Sequence, residues 1–368
     1  MRALDEAKEF VRLHARHMGV GTDRIDRVLD RVHSLDGVGE GGWVTEWSRL
    51  AAERQENGKP SEAANLYILA RFPYADTPAK TSAAHSAVSI TEAWMSRTGV
   101  GEKRVARIGD AKVPFLFAKP AGDDAPLVVM MGGIVSLKEQ WGGFLALSRR
   151  IGFAIAIADF PGTGENEVPY SRDAADVYTA IMDAVAEETD ADRTLAVAPS
   201  FGGHLALLCS ARDERLRGLV TIGAPLRSFF LDSEARAGMP QVTRAALLRA
   251  ARVGPQNLSA SLDALALRPQ EIASVRIPVT YVASTRDEII PNLDWRDAAE
   301  LNSGMSVYAF DDVHGAPHHL RQTRLLILTA LCRHARRRSL VFLLDMLTRR
   351  FLRIRPLHNG PVATGGTP

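Results

Sequence analysis

Leu195-Ala196-Val197-Ala198-Pro199-Ser200-Phe201-Gly202-Gly203-His204 is an apolar run that stops at a serine, passes two glycines and continues as helix-forming sequence. A strand that becomes a helix within about three residues strains the backbone of the serine between them and demands small neighbours. Ala198 and Gly202 occupy the small positions, and Gly203 lets the following helix pack close to a sheet. Alanine at 198, where glycine is usual, adds a methyl at a crowded place. Taken alone, the stretch reads equally as a nucleophile elbow or as a glycine-rich turn whose serine caps a helix.

The residues downstream decide between the two. Residues 277–284 read as a buried strand, and Asp287 lies just past its end. The next strand-like run, 306–310, leads through Asp311-Asp312-Val313 to His314. Serine, acid and histidine, each on a loop after a strand, follow the chain order of an α/β-hydrolase triad. A serine hydroxyl needs a base titrating near neutrality, which assigns His314; a carboxylate must fix the imidazole tautomer, which assigns Asp287. Asp311 and Asp312 are rival acids, ranked second because they precede the histidine within its own loop. Residues 127–134 supply a strand ending in Gly132-Gly133-Ile134, so the expected oxyanion donors are the N–H of Phe201 and that of Gly133 or Ile134. An ordinary glycine turn is the alternative for that segment.

The chain has 368 residues, a formal net charge of +2, 7% aromatic residues and two cysteines. Its length suits a large catalytic domain plus a smaller one, and its charge leaves no footprint for nucleic acid. Met1 to Met18 reads as a charged helix without the apolar centre of a secretory signal, and no apolar run approaches a membrane span. Cys209 and Cys332 have neither metal nor redox spacing, as expected of buried thiols in a reducing cytoplasm. The expectation is a cytoplasmic protein with a small-molecule substrate, no cofactor, no metal, and a second copy of itself as the other candidate partner.

Residues 1–104 read as an all-helical domain, with helices over 3–18, 24–32, 43–56, 61–70 and 78–97. From 105 to 338 short strands (114–118, 127–131, 153–158, 194–197, 219–222) alternate with helices, the pattern of a mostly parallel sheet covered on both faces. Between about 226 and 270 the alternation breaks into helices interrupted by Pro240 and Pro255, expected as a lid above the strand ends. A basic helix follows at 339–355, in a region with eight arginines between Arg333 and Arg355. Its apolar stripe is expected to dock on the body or on a second subunit, with a membrane surface as the alternative. Residues 356–368 read as a disordered tail.

Gly132-Gly133-Ile134-Val135-Ser136-Leu137-Lys138-Glu139, the turn from Asp159 through Pro161-Gly162-Thr163-Gly164 to Glu165, the Ser200 elbow and the helical N-terminal third together resemble the FrsA-like branch of α/β-hydrolases. That branch includes 2,6-dihydroxypseudooxynicotine hydrolase and the fungal hydrolases that shorten polyketide pigment precursors. The resemblance implies an α/β-hydrolase fold with an N-terminal helical domain and a cofactor-free Ser-Asp-His enzyme that cleaves esters or carbon–carbon bonds next to a ketone. It also places Lys138-Glu139 where the family carries a lysine-glutamate pair, making Glu139 either a substrate contact or a structural ion pair. The expected function is hydrolysis of a bulky polyketide-like or aromatic metabolite through an acyl-enzyme on Ser200. Acyl transfer or cyclisation by the same residues, and a non-catalytic binding protein on a hydrolase fold, are the alternatives.

Overall fold

The computed structural model describes residues 3–122, 124–336 and 338–350. The tail expected at 356–368 lies outside them. Five helices come first: α1 (Ala3–His17), α2 (Thr22–Arg31), α3 (Trp43–Glu56), α4 (Pro60–Arg71) and α5 (Pro78–Thr98). Proline opens α4 and α5, where an N–H would have no intrahelical partner, and Gly99 ends α5 in the left-handed region at φ 62°. These helices carry their own core, in which Val11, Ile25, Leu29, Trp43, Trp47, Leu66 and Phe72 pack together. The Trp43 indole N–H donates to the Leu69 carbonyl at 2.9 Å. Both tryptophans therefore hold the helical region together internally and do not cover the sheet.

Only Gly99–Gly101 separate α5 from β1 (Glu102–Ile108). The sheet continues with β2 (Ala111–Ala118), β3 (Pro126–Met131), β4 (Ala154–Ala158), β5 (Asp190–Val197), β6 (Leu216–Ile222), β7 (Val279–Ser284) and β8 (Met305–Phe310). Its order is β1-β2-β4-β3-β5-β6-β7-β8. β1, β2 and β4 pair antiparallel, and the remaining ladders are parallel. The sheet thus begins at Glu102, ahead of the expected boundary at 104, because β1 is a charged edge strand that sequence patterning does not flag. Central strands such as β3 and β4 are buried along their whole length, as a parallel sheet between helical layers requires. The layers are built from α6 (Ser148–Ile151), α7 (Asp176–Val185), α8 (Phe201–Ser210) and the C-terminal helices.

From β3 the chain moves to β4 on one side and then to β5 on the other, so the strand order reverses between β3 and β5. Open sheets bind ligands in the crevice at the carboxyl ends of strands at such a point. The insertion between β6 and β7 contains α9 (Ser228–Leu231), α10 (Ser233–Gly238), α11 (Gln241–Ala251), α12 (Leu258–Leu265) and α13 (Pro269–Ser274). It meets α1, where the Glu6 carboxylate accepts the Val242 N–H at 2.6 Å in the first turn of α11, the end of a helix that favours negative charge. After α14 (Asn292–Leu301), α15 (Leu320–His334) packs on the sheet and α16 (Arg338–Arg350) packs on α15. α16 buries Leu344 and Thr348 but leaves Phe342 73% exposed, so its apolar stripe docks on the body only in part. Among the described residues no helix is long and apolar enough to cross a membrane.

Candidate active site

Ser200 sits between β5 and α8 with φ 56° and ψ −134°, a conformation that costs a residue with a side chain on the order of 1–3 kcal/mol. Its small neighbours have specific causes. A Cβ on Gly202 would lie 2.3 Å from the Met131 carbonyl oxygen, and one on Gly203 would lie 2.0 Å from Thr221 Oγ1. The Ala198 methyl, by contrast, is buried in the main core, which is how the elbow tolerates it.

The Ser200 hydroxyl donates to His314 Nε2 at 2.9 Å. His314 Nδ1 lies 3.0 and 2.9 Å from the two Asp287 carboxylate oxygens, which assigns the ring proton to Nδ1 and leaves Nε2 free to accept. Asp287 is fixed in turn by the N–H groups of Ile289 and Ile290, at 2.9 and 2.8 Å. Burial pulls the His314 pKa down, and the Asp287 carboxylate more than offsets it, so the net shift is upward from 6.5. Gly223, at φ 63°, leaves the room this pair needs: a Cβ there would approach His314 Cε1 to 3.0 Å. The two rival acids are engaged elsewhere. Asp311 pairs with the exposed Arg286, and buried Asp312 accepts from the imidazoles of His318 and His319 at 2.7 and 2.8 Å.

Gly133 faces the serine across the strand-order reversal. A Cβ on it would lie 2.9 Å from Ser200 Cβ, 3.1 Å from Ser200 Oγ and 3.9 Å from the Phe201 nitrogen. Phe201 is the first residue of α8, whose leading N–H groups have no intrahelical acceptor.

A cavity of about 230 Å³ opens over this group, with Ser200, Phe201, Gly133, Ile134 and His314 in its wall. Apolar side chains dominate the lining, among them Phe72, Met130, Trp141, Phe144, Ile289 and Ile327. The helical region supplies one side: Phe10, Leu13, His14 and His17 form a single stripe of α1. Sequence reading missed these four, although the spacing 10, 13, 14, 17 on a charged helix is the signal of a buried face. It also missed Gln140 and Arg324, which line the same space. From the insertion only Thr243 reaches the cavity.

Glu139 does not line it. Its carboxylate is buried 2.8 Å from Lys138 Nζ, which also meets Asp159 at 2.9 Å and Glu165 at 2.6 Å. Burial and the neighbouring Asp159 push the Glu139 pKa up against the pull of Lys138. The turn from Asp159 to Glu165 serves this ion cluster: Asp159 also accepts the Lys138 N–H at 2.8 Å, and the left-handed Gly164 leaves room for its carboxylate. These contacts place the Glu139 carboxylate beside the Lys138 ammonium within a buried cluster of charges. His204 is a packed residue, accepting from Tyr170 and donating to the Leu265 carbonyl at 2.8 Å. Cys209 and Cys332 are both buried. Among the described residues no three His, Cys, Asp or Glu side chains come together as metal ligands.

A profile of the α/β-hydrolase fold matches residues 125–266. The solved structure of wild-type AbyA5 is 36% identical, covers 95% of this chain and all of its own, and superposes with a TM-score of 0.89. The chain belongs to the α/β-hydrolases. Within them, this hydrolase falls in the FrsA-like branch: the esterase FrsA of Vibrio cholerae serotype O1 is 25% identical over 307 residues, 76% of this chain and 72% of that relative. FrsA of Citrobacter koseri is 24% identical over 305 residues, with the same coverage. The structure of 2,6-dihydroxy-pseudo-oxynicotine hydrolase shares the fold, with a TM-score of 0.68 over 94% of this hydrolase at 19% identity.

Proposed function

We propose that this hydrolase cleaves an ester, or a carbon–carbon bond next to a ketone, in a bulky and largely apolar metabolite, through an acyl-enzyme on Ser200. The observation that carries the proposal is the Ser200–His314–Asp287 hydrogen-bond chain in the wall of an apolar cavity. In this reading Ser200 Oγ attacks the carbonyl carbon while His314 Nε2 takes its proton, and Asp287 stabilises the resulting imidazolium. The N–H groups of Phe201 and of Gly133 or Ile134 receive the negative oxygen. Collapse breaks the bond to the leaving group, which departs as an alcohol carrying the His314 proton or as a stabilised carbanion that takes that proton from His314. Water, deprotonated by His314, attacks the acyl-enzyme and releases the acid and Ser200. The esterase and hydrolase names of the relatives agree with this chemistry.

The test is intact-mass analysis with a fluorophosphonate, together with ester kinetics. One adduct on the wild type, none on Ser200→Ala, and at least a thousandfold loss of kcat/KM in that variant support the proposal; activity within tenfold of wild type refutes it. The apolar wall from α1 favours acyl transfer as a second reading, since it limits access of water. Added alcohols that divert product from acid to ester would establish it.

A further inference from the structure

α15 lines the cavity with Leu320, Thr323, Arg324 and Ile327, a single stripe at the helical spacing that α1 shows at 10, 13, 14 and 17. Arg324 and His17 are members of these stripes that a ligand can reach and that the acyl-enzyme chemistry does not use. Arg324 is exposed and His17 half-buried, and neither makes a hydrogen bond or an ion pair among the described residues. Arg324 carries the one Arg or Lys charge in the described lining, and the one carboxylate there, Glu288, accepts the His314 N–H at 3.0 Å. The end of α1 is tethered to the loop that bears His314. The Arg16 guanidinium donates to His318 Nε2, and His318 Nδ1 donates to the buried Asp312 carboxylate at 2.7 Å. His17 comes to rest beside Gly315, where an added Cβ would stand 3.2 Å from His17 Nε2. Burial and the charge of His314 hold the His17 pKa down at about 4, against the pull of Asp312 and with a further push from Arg324. The imidazole is therefore neutral at working pH and offers one N–H.

An unpaired guanidinium near a neutral N–H donor suits an oxygen that carries negative charge. A carboxylate or an ionised enol would take a charge-assisted hydrogen bond from Arg324 and a second bond from His17. A neutral ester or ether would gain less, and an ammonium group would be repelled. The remaining lining is largely apolar, so the body of the ligand must be apolar too. We infer that His17 and Arg324 form an anion subsite, so that the substrate is an apolar molecule with an anionic oxygen group held there while its carbonyl lies at Ser200. The inference rests on the proposed function only for the placement of the carbonyl. The subsite draws on α1 and α15 together, so it also ties substrate choice to the docking of α1.

Binding to Ser200→Ala separates the subsite from the chemistry. Calorimetry would compare the monoethyl esters of succinic, adipic and suberic acid with their ethyl methyl diesters. A second arm would compare ethyl 4-hydroxycoumarin-3-carboxylate, an acidic enol, with its 4-methoxy ether. At least one anionic ligand should bind about tenfold to a hundredfold more tightly than its neutral counterpart, and the arm that shows the preference tells a carboxylate from an enolate. Adding Arg324→Gln should erase that preference, and His17→Leu should weaken it. Arg324 is exposed, so its substitution keeps the inference falsifiable if the change at His17 disturbs folding. Equal affinities within every pair would overturn the inference. A preference that survives either substitution undiminished in a folded variant would overturn the assignment to His17 and Arg324. Failure of Ser200 as the nucleophile would show in fluorophosphonate labelling of the wild type instead and would leave these affinities intact.

Discussion

Replacing Gly133 by alanine tests the proposed oxyanion site without removing any hydrogen-bond donor. The added methyl would stand 2.9 Å from Ser200 Cβ and 3.1 Å from Ser200 Oγ. Relaxed carbon–carbon contacts fall at roughly 3.5–4.0 Å, so the Gly133 segment and the serine must separate by about half an ångström or more. Donors that stabilise an oxyanion work at about 2.7–3.1 Å, and the methyl also projects into the space between Ser200 and the Phe201 nitrogen where the carbonyl oxygen must turn. Loss of one such donor costs about 2.7–4 kcal/mol of transition-state stabilisation, or about 10²–10³ in rate, and this substitution should fall in that range. The assay is stopped-flow hydrolysis of a p-nitrophenyl ester, with melting curves to confirm the fold. A well-folded Gly133→Ala variant within fivefold of wild-type kcat/KM would refute the placement of the oxyanion hole.

Asp287→Asn should lower kcat about ten-thousandfold at neutral pH by stabilising the wrong His314 tautomer, whereas Asp311→Asn should be nearly silent; steady-state kinetics on both would expose a wrong choice of acid. Asp312→Asn should act on stability, by about 1–3 kcal/mol in denaturant melts, because its carboxylate accepts from both His318 and His319. The acid limb of kcat/KM should have its midpoint above 6.5, since the base works only when neutral and the pKa of His314 is raised; a midpoint below 6.5 would contradict the Asp287 pairing. A chain starting near residue 103 lacks the α1 wall of the cavity and should be poorly soluble and lose turnover of bulky esters, even if a small probe still labels Ser200; unchanged turnover by a soluble truncation would show the helical region to be dispensable.

The cluster of Ser200, Asp287 and His314 was legible because each part lies directly after a strand and carries its own local signature. Small residues frame the serine, and Asp287 and His314 each close an apolar run. β1 left no such mark. Its sequence, Glu102-Lys103-Arg104-Val105-Ala106-Arg107-Ile108, has no apolar alternation, and Val105 is 47% exposed. It is ordered by distant partners: the Arg104 guanidinium lies over the Phe117 ring and pairs with Glu188 at 2.6 Å. The cavity wall was illegible for a similar reason. His14 meets Gln140 across more than a hundred residues of chain, and nothing in either segment names the other. Nothing in the local sequence showed that Asp159 and Glu165 share Lys138 with Glu139.

The wall of α1 also bears on how such an enzyme could diversify. The groups proposed to make and break bonds belong to the sheet and its loops, while the face opposite them comes from one helix of 15 residues that meets the insertion at Val242, where Glu6 accepts its N–H and Val11 shares its apolar cluster. Changes at positions 10, 13, 14 and 17 would reshape what fits without altering the strained serine itself, and of the four His17 also lies close enough to His314 for their charges to interact. Exchange of that helix between homologues, or a library confined to those four positions, is accordingly the shortest route by which descent or engineering could redirect this scaffold to a different metabolite.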